Sequence, residues 1–174
     1  MSAIKVRSKS VLETPRSAPP NSELDRTDRA LLKLLQRDGS LSNVALAEKV
    51  HLSPPACLRR VERLRQAGYI QRTVALLNPQ SLGAGMVVLI GVVLDRSTPE
   101  SFEAFEKAAA KISGCMECHV VTGEFDYFML VRTRNSETFN QLHAEQLLYL
   151  PGVRQIRSFM GLKQVLSTTQ LPLS

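Results

Sequence analysis

Cys115, Cys118 and His119 form a C-x-x-C-H string in this 174-residue chain. Thiolate and imidazole donors so spaced suit metal, redox or haem-attachment chemistry. On a strand, however, Cys118 and His119 point to opposite faces, and no second ligand pair follows at a suitable spacing. Haem attachment would also require an export route. A metal or redox role is therefore the minor alternative, with no metal and no cofactor expected. His51 and His143 read as surface or packing residues. No nucleophile–base constellation and no phosphate-binding glycine loop is present, so the chain is not expected to be an enzyme.

A second group of residues suits a different chemistry. Arg59, Arg60, Arg63 and Arg65 crowd one short segment whose apolar positions, Cys57, Val61 and Leu64, recur at helical spacing. Guanidinium groups on a helix can reach guanine edges or phosphates in a DNA groove. Ser53, Pro54, Pro55 and Ala56 precede them. Ser53 is positioned to cap this helix, and Pro54 stands at its first position, where a missing N–H costs nothing. These small residues let the helix end come close to bases.

The surrounding pattern supplies elements to hold that helix. Leu24, Leu31, Leu32 and Leu35 form a helical stripe over 24–38, stopped by Gly39. Ser42 is placed to cap a second helix over 43–50, with Leu46, Ala47 and Val50 facing inward. A turn of about three residues then leads to the arginine-bearing helix, which ends at Gly68. Two helices so joined, the second basic, make a helix-turn-helix. Residues 69–77 read as a strand leaving it.

Charge is distributed to match. The chain carries 22 Lys and Arg against 16 Asp and Glu, a net of +6. Residues 1–21 hold Lys5, Arg7, Lys9 and Arg16 against Glu13, and with four serines and three prolines they read as a flexible tail. Residues 22–78 hold ten basic and six acidic side chains, and 79–174 eight and nine. The whole excess lies in the first 78 residues, so an anionic partner is expected at that end. The longest apolar run, 86–94, is too short to span a bilayer. The odd cysteine count argues against a disulfide framework, which makes the cytoplasm the expected compartment.

From residue 86 strand and helix patterns alternate: a strand over 86–94, a helix over 99–112, strands over 116–122 and 127–133, a helix over 136–150 and a long strand over 153–166. This βαββαβ order is that of a ferredoxin-like unit with both helices on one sheet face. In the first strand Val88, Ile90, Val92 and Leu94 alternate with Val87, Leu89 and Val93, so both faces look buried. One copy cannot cover both, and sheet-to-sheet homodimerisation is the economical expectation.

The sequence resembles the leucine-responsive regulatory protein (Lrp/AsnC) family of transcription regulators. The resemblance rests on Leu24-Asp25-Arg26-Thr27-Asp28, Ser42-Asn43-Val44, Leu52-Ser53-Pro54, Cys57-Leu58-Arg59-Arg60-Val61, Ala75-Leu76-Leu77-Asn78-Pro79, the stretch from Glu117-Cys118-His119 through Val120-Val121-Thr122-Gly123-Glu124-Phe125-Asp126-Tyr127, and Leu150-Pro151-Gly152-Val153. It covers about residues 23–168 in family order. It implies an α+β protein: an N-terminal winged helix-turn-helix plus a C-terminal ferredoxin-like βαββαβ domain. The implied divisions are a basic tail (1–21), a DNA-binding domain (22–68), a strand linker (69–85), an effector-binding and oligomerisation domain (86–168) and a C-terminal tail (169–174).

The resemblance further implies a DNA-binding transcriptional regulator, nucleoid-associated in the cytoplasm, whose binding or assembly responds to a small effector, usually an amino acid. Double-stranded DNA and copies of the same chain are the implied partners, as a homodimer assembling to an octamer or similar. Ser42, Asn43, Ser53, Pro54, Pro55, Ala56, Arg59, Arg60 and Arg63 are the expected DNA-binding residues. The family's Gly-x-x-Asp turn falls on Gly123 and Asp126, with Val120, Thr122, Glu124 and Phe125 beside it and Phe159 as a wall of the effector site. Turn N–H groups would hold a carboxylate and an acidic side chain an ammonium. An effector-independent DNA-organising protein is the competing reading. The tail before Leu24 is longer than the family's usual lead.

Overall fold

The computed structural model describes residues 24–173; the basic tail expected over 1–21 lies outside the described residues. The chain divides into two compact units, one formed by the described residues up to Leu76 together with Leu166 onward, the other by Leu77–Val165.

The first unit is built on three helices: α1 (Arg26–Arg37), α2 (Asn43–Lys49) and α3 (Pro54–Gln66). Asp25 starts α1 by accepting from the Asp28 N–H, and Asp28 answers from the third position with a bond to the Asp25 N–H, a reciprocal capping box. The Ser42 hydroxyl accepts from the Ala45 N–H and starts α2 as the sequence predicts. Ser53 departs from expectation. It stands at the cap position of α3, but its side chain accepts no helix N–H. Pro55 at the second helical position has no N–H, which removes one of the two donors a capping hydroxyl can use. The turn between α2 and α3 passes through His51 at φ 56°, a left-handed conformation unusual for a residue with a Cβ. Leu31, Leu32, Leu46, Ala47, Cys57, Val61 and Leu64 close the core.

The C-terminal segment belongs to this unit. The Gln36 side chain donates to the Leu171 carbonyl at 3.1 Å and accepts from the Leu171 N–H at 3.0 Å, and Leu173 packs on the three-helix core. Replacing Gln36 with Ala removes both bonds at once. The expected result is a thermal midpoint a few degrees lower, about 0.5–1 kcal/mol, measured by circular dichroism. An unchanged midpoint would show that the tail adds no stability.

The strand expected over 69–77 does not form. Among the described residues between Gly68 and Met86 there is no β-strand, and 71–78 are exposed. The segment has no ladder partner among the described residues, so alternating side chains cannot make it a strand.

The second unit has the expected order: β1 (Met86–Leu94), α4 (Pro99–Ala109), β2 (Cys115–Val120), β3 (Tyr127–Thr133), α5 (Ser136–Glu145), a 3-10 turn at Leu147–Tyr149 and β4 (Val153–Met160). The sheet order is β2-β3-β1-β4, with every neighbouring pair antiparallel. The last strand ends six residues earlier than the pattern suggests, where Gly161 bonds to the Val87 carbonyl beyond the last β1–β4 pair. Register places Val88, Ile90 and Val92 of β1 beside Val131, Met129 and Tyr127 of β3. All six are buried, in one cluster with Phe105 and Ala109 of α4 and Phe139 and Leu142 of α5. The other sheet face carries no helix, and there Leu89 and Phe159, a cross-strand pair, are 43% and 49% exposed.

Candidate DNA-binding and effector sites

In the first unit α3 turns Cys57, Val61 and Leu64 inward, which places Arg59 and Gln66 opposite the core and Arg63 and Arg60 progressively nearer its flank. The sequence treats the arginines alike; the structure separates them. Arg60 Nη1 lies 2.5 Å from Asp25 Oδ2 and 3.0 Å from Asp28 Oδ1, and Arg63 Nη2 lies 2.5 Å from Asp28 Oδ2. Asp28 is wholly buried. A carboxylate so placed requires cationic partners, and two guanidinium groups supply them. Asp25 is held below the usual carboxylate range, first by the Asp28 N–H and then by Arg60, while both aspartates raise Arg60. Arg59 makes none of the ion pairs formed among the described residues. It lines a 470 Å³ cleft with Arg60, Arg63, Ala56, Leu52 and Asp25.

Asn43 is tied to the helix-turn-helix itself. Its side-chain N–H donates to the Pro54 carbonyl at 2.7 Å, joining the first turns of α2 and α3, and its Oδ1 is buried without a partner. Ser42 is engaged in capping. Ser53, Pro54 and Pro55 are exposed at the start of α3 and Ala56 is half-buried.

In the second unit the Gly123 turn joins β2 to β3. Gly123 has φ 119° and no atom within 4 Å of where a Cβ would stand, so open space adjoins the turn. Thr122 and Glu124 are exposed, Phe125 and Asp126 half-buried. One Asp126 oxygen accepts from the Leu94 N–H at 2.8 Å, and the Asp126 N–H donates to Val92 O, so this residue fixes the turn to the end of β1. Phe125 folds over Gly91, where any Cβ would meet its ring at 2.7 Å. Its ring stacks edge-on against Phe128 at 5.1 Å, and the Arg157 guanidinium stands 5.7 Å from its centroid. Arg157 also pairs with Glu124 at 3.2 Å.

Not all the expected effector residues meet. Phe159 shares its face with Arg157, because both point to the side of Leu89 and Gly91. Val120 pairs with Tyr127 and so projects toward the helix-bearing side. Sequence reasoning missed Arg157, Phe128 and Gly91. Gly91 alone left a signal, a glycine inside a β-branched run, which marks close approach of another group.

The cysteines and histidine separate as strand geometry predicts. Cys118 pairs with buried Met129 and His119 with Phe128 on the opposite face, where it bonds to Glu117 at 3.0 Å. Cys118 sits on an edge strand with much of the residue solvent-accessible, yet desolvation, followed by Cys115 and Glu106, pushes its thiol up to about 12. Such a thiol is overwhelmingly protonated at pH 8. Mass-mapped alkylation at pH 8 is expected to modify Cys118 more slowly than an ordinary thiol; an equal or faster rate would show a reactive cysteine. No group of three or more metal-ligating side chains occurs among the described residues.

Comparison with known proteins draws the two sites together. Residues 87–171 match the Lrp/AsnC ligand-binding domain and residues 24–71 a winged helix-turn-helix DNA-binding module. The leucine-responsive regulatory proteins of Klebsiella pneumoniae and Escherichia coli K12 are each 42% identical over 152 residues, 87% of this chain and 93% of theirs. The chain belongs to the Lrp/AsnC family. It is a DNA-binding transcriptional regulator with a ligand-binding domain. A transcriptional regulator of Neisseria meningitidis, solved in complex with L-methionine, superposes with TM-score 0.82 at 36% identity, covering 86% of this chain and 97% of that one. An AsnC-family regulator of Agrobacterium tumefaciens gives 0.81 at 28%, covering 85% and 96%. No helix among the described residues of this Lrp/AsnC member is long and apolar enough to cross a membrane.

Proposed function

We propose that the regulator responds to an amino acid held at the helix-free sheet face beside the Gly123 turn. The observation that carries this reading is the Glu124–Arg157 pair set against the Phe125 ring. A guanidinium can take an α-carboxylate in two parallel bonds, a carboxylate can take an α-ammonium, and the aromatic floor suits an apolar side chain. Thr122 and Gly123 border this space, while Asp126 fixes the turn's position. The L-methionine complex of the Neisseria relative supports a ligand of this class.

The same face accounts for assembly. Leu89 and Phe159 are left in water by one copy and would be covered by a second, giving a homodimer able to associate further. Effector and partner then share one surface, so binding of either alters the other by the same factor. DNA is taken by the first unit in the cytoplasm, with Arg59, Arg60, Arg63, Ser53, Pro54, Pro55 and Ala56 toward the groove and Ser42 and Asn43 at its edge.

Selecting a duplex from random sequence with the full chain, then titrating it by fluorescence anisotropy in the presence of each of the twenty amino acids, tests the reading. At least one is expected to shift affinity severalfold, with a matching change in native mass. Salt-dependent binding indifferent to all twenty would refute the effector and favour a DNA-organising role.

A further inference from the structure

We propose that Asp28, on a helix remote in sequence from α3, is a positioning residue for DNA binding: it holds Arg60 and Arg63 as two sides of a phosphate clamp completed by Arg59. This rests on the reading of α3 as the DNA-contacting helix. A free arginine side chain must lose considerable rotamer freedom before it grips a phosphate. Here that freedom is already reduced. Asp28 is buried on α1 and locked by its capping bond to the Asp25 N–H, and each of its oxygens accepts from a different arginine.

The arrangement leaves donors available. Each guanidinium presents five N–H groups. The bonds to Asp25 and Asp28 use one nitrogen of Arg60 and one of Arg63, and these side chains remain 33% and 46% exposed. Both line the cleft shared with Arg59 and Ala56, at the end of α3 that enters a groove first. Three cations border this cleft against the half-exposed Asp25 and the buried Asp28, so a net positive site remains.

Long-range electrostatics and positioning predict opposite signs for one substitution. Asp28→Asn keeps the side-chain shape and raises the net charge by one, so general attraction would tighten binding and steepen its salt dependence. If Asp28 positions the clamp, Asp28→Asn instead weakens binding despite the added positive charge. The expected result is roughly five- to tenfold lower affinity near physiological salt for a 30-base-pair mixed-sequence duplex. The log–log salt slope should be smaller by about one, the loss of one phosphate contact.

Anisotropy titrations across a salt series, with circular dichroism to verify folding, decide the matter. Unchanged or tighter binding with an equal or steeper slope overturns the proposal. A thermal midpoint that falls while affinity and slope stay at wild type does so too, since it would leave Asp28 a purely structural role. If Asp28→Asn does not fold, Arg63→Lys takes its place: it keeps the charge but loses the fork, and wild-type affinity and slope there would equally refute the clamp. Wild-type protein with no salt-dependent DNA binding would instead refute the underlying assignment of α3.

Discussion

Replacing Gly91 with leucine is expected to abolish the amino-acid-induced shift in DNA affinity. A Cβ at this position would lie 2.7 Å from two carbons of the Phe125 ring, and leucine adds three further carbons in the same direction. The ring must leave the sheet. It then loses its edge-on contact with Phe128 and the Arg157 guanidinium above it, and the apolar floor beside the Glu124–Arg157 pair disappears. Gly91 itself lies in β1 between buried Ile90 and Val92, and it is not among the glycines at positive φ, so the strand can accept a side chain. Overpacking should therefore cost about 1–3 kcal/mol of the second unit's stability rather than its fold. Gly91→Ala, which adds only the first carbon, should give a partial loss of response. The measurement is the effector-induced shift in DNA affinity for both variants. A full response from Gly91→Leu would place the effector elsewhere.

That prediction depends on a residue whose role the sequence only half discloses, and the difference is physical. β1 and β3 are legible to the residue because each is a short, largely apolar run of strand length, and Val88, Ile90 and Val92 do pair with Val131, Met129 and Tyr127. Caps are equally local, so Ser42 was legible as the start of α2. Local rules fail where a group's partner is remote. Ser53 loses one capping donor because Pro55 at the second helical position has no N–H, and the segment 69–77 has the composition of a strand but no ladder partner among the described residues. Arg157 has nothing in its neighbourhood to distinguish it from Arg154; only the antiparallel register of β4 on β1 brings it opposite Gly91 and hence under reach of Phe125 and Glu124. Asp25 and Asp28 form the capping box of α1, a local role, but their second use, gripping arginines more than thirty positions away, follows from the packing of α1 and α3 and left no signal in the sequence.

The same separation yields the second large effect, a contrast between adjacent arginines. Arg59→Ala is expected to weaken DNA binding by about 1–3 kcal/mol, roughly five- to 150-fold, with little change in thermal midpoint, because no carboxylate among the described residues pairs with that guanidinium. Arg60→Ala should lower affinity and stability together. Among the described residues it leaves the buried Asp28 paired with Arg63 alone, strips Asp25 of its ion pair, and is expected to cost about 2 kcal/mol in folding. The pH dependence has a definite sign. Asp25 titrates below its ordinary 3.8 in the folded chain, so its contribution is fully present above that value and is lost as pH falls through the depressed pKa. In Arg60→Ala the arginine's share of that depression is gone, and the gap in stability between variant and wild type should narrow as acid protonates Asp25. Denaturant unfolding at pH 7 and near pH 3, set beside anisotropy titrations for both variants, separates the two roles. Equal losses of stability in Arg59→Ala and Arg60→Ala would mean that the aspartates do not discriminate between them, and that recognition and folding draw on the same charges throughout α3.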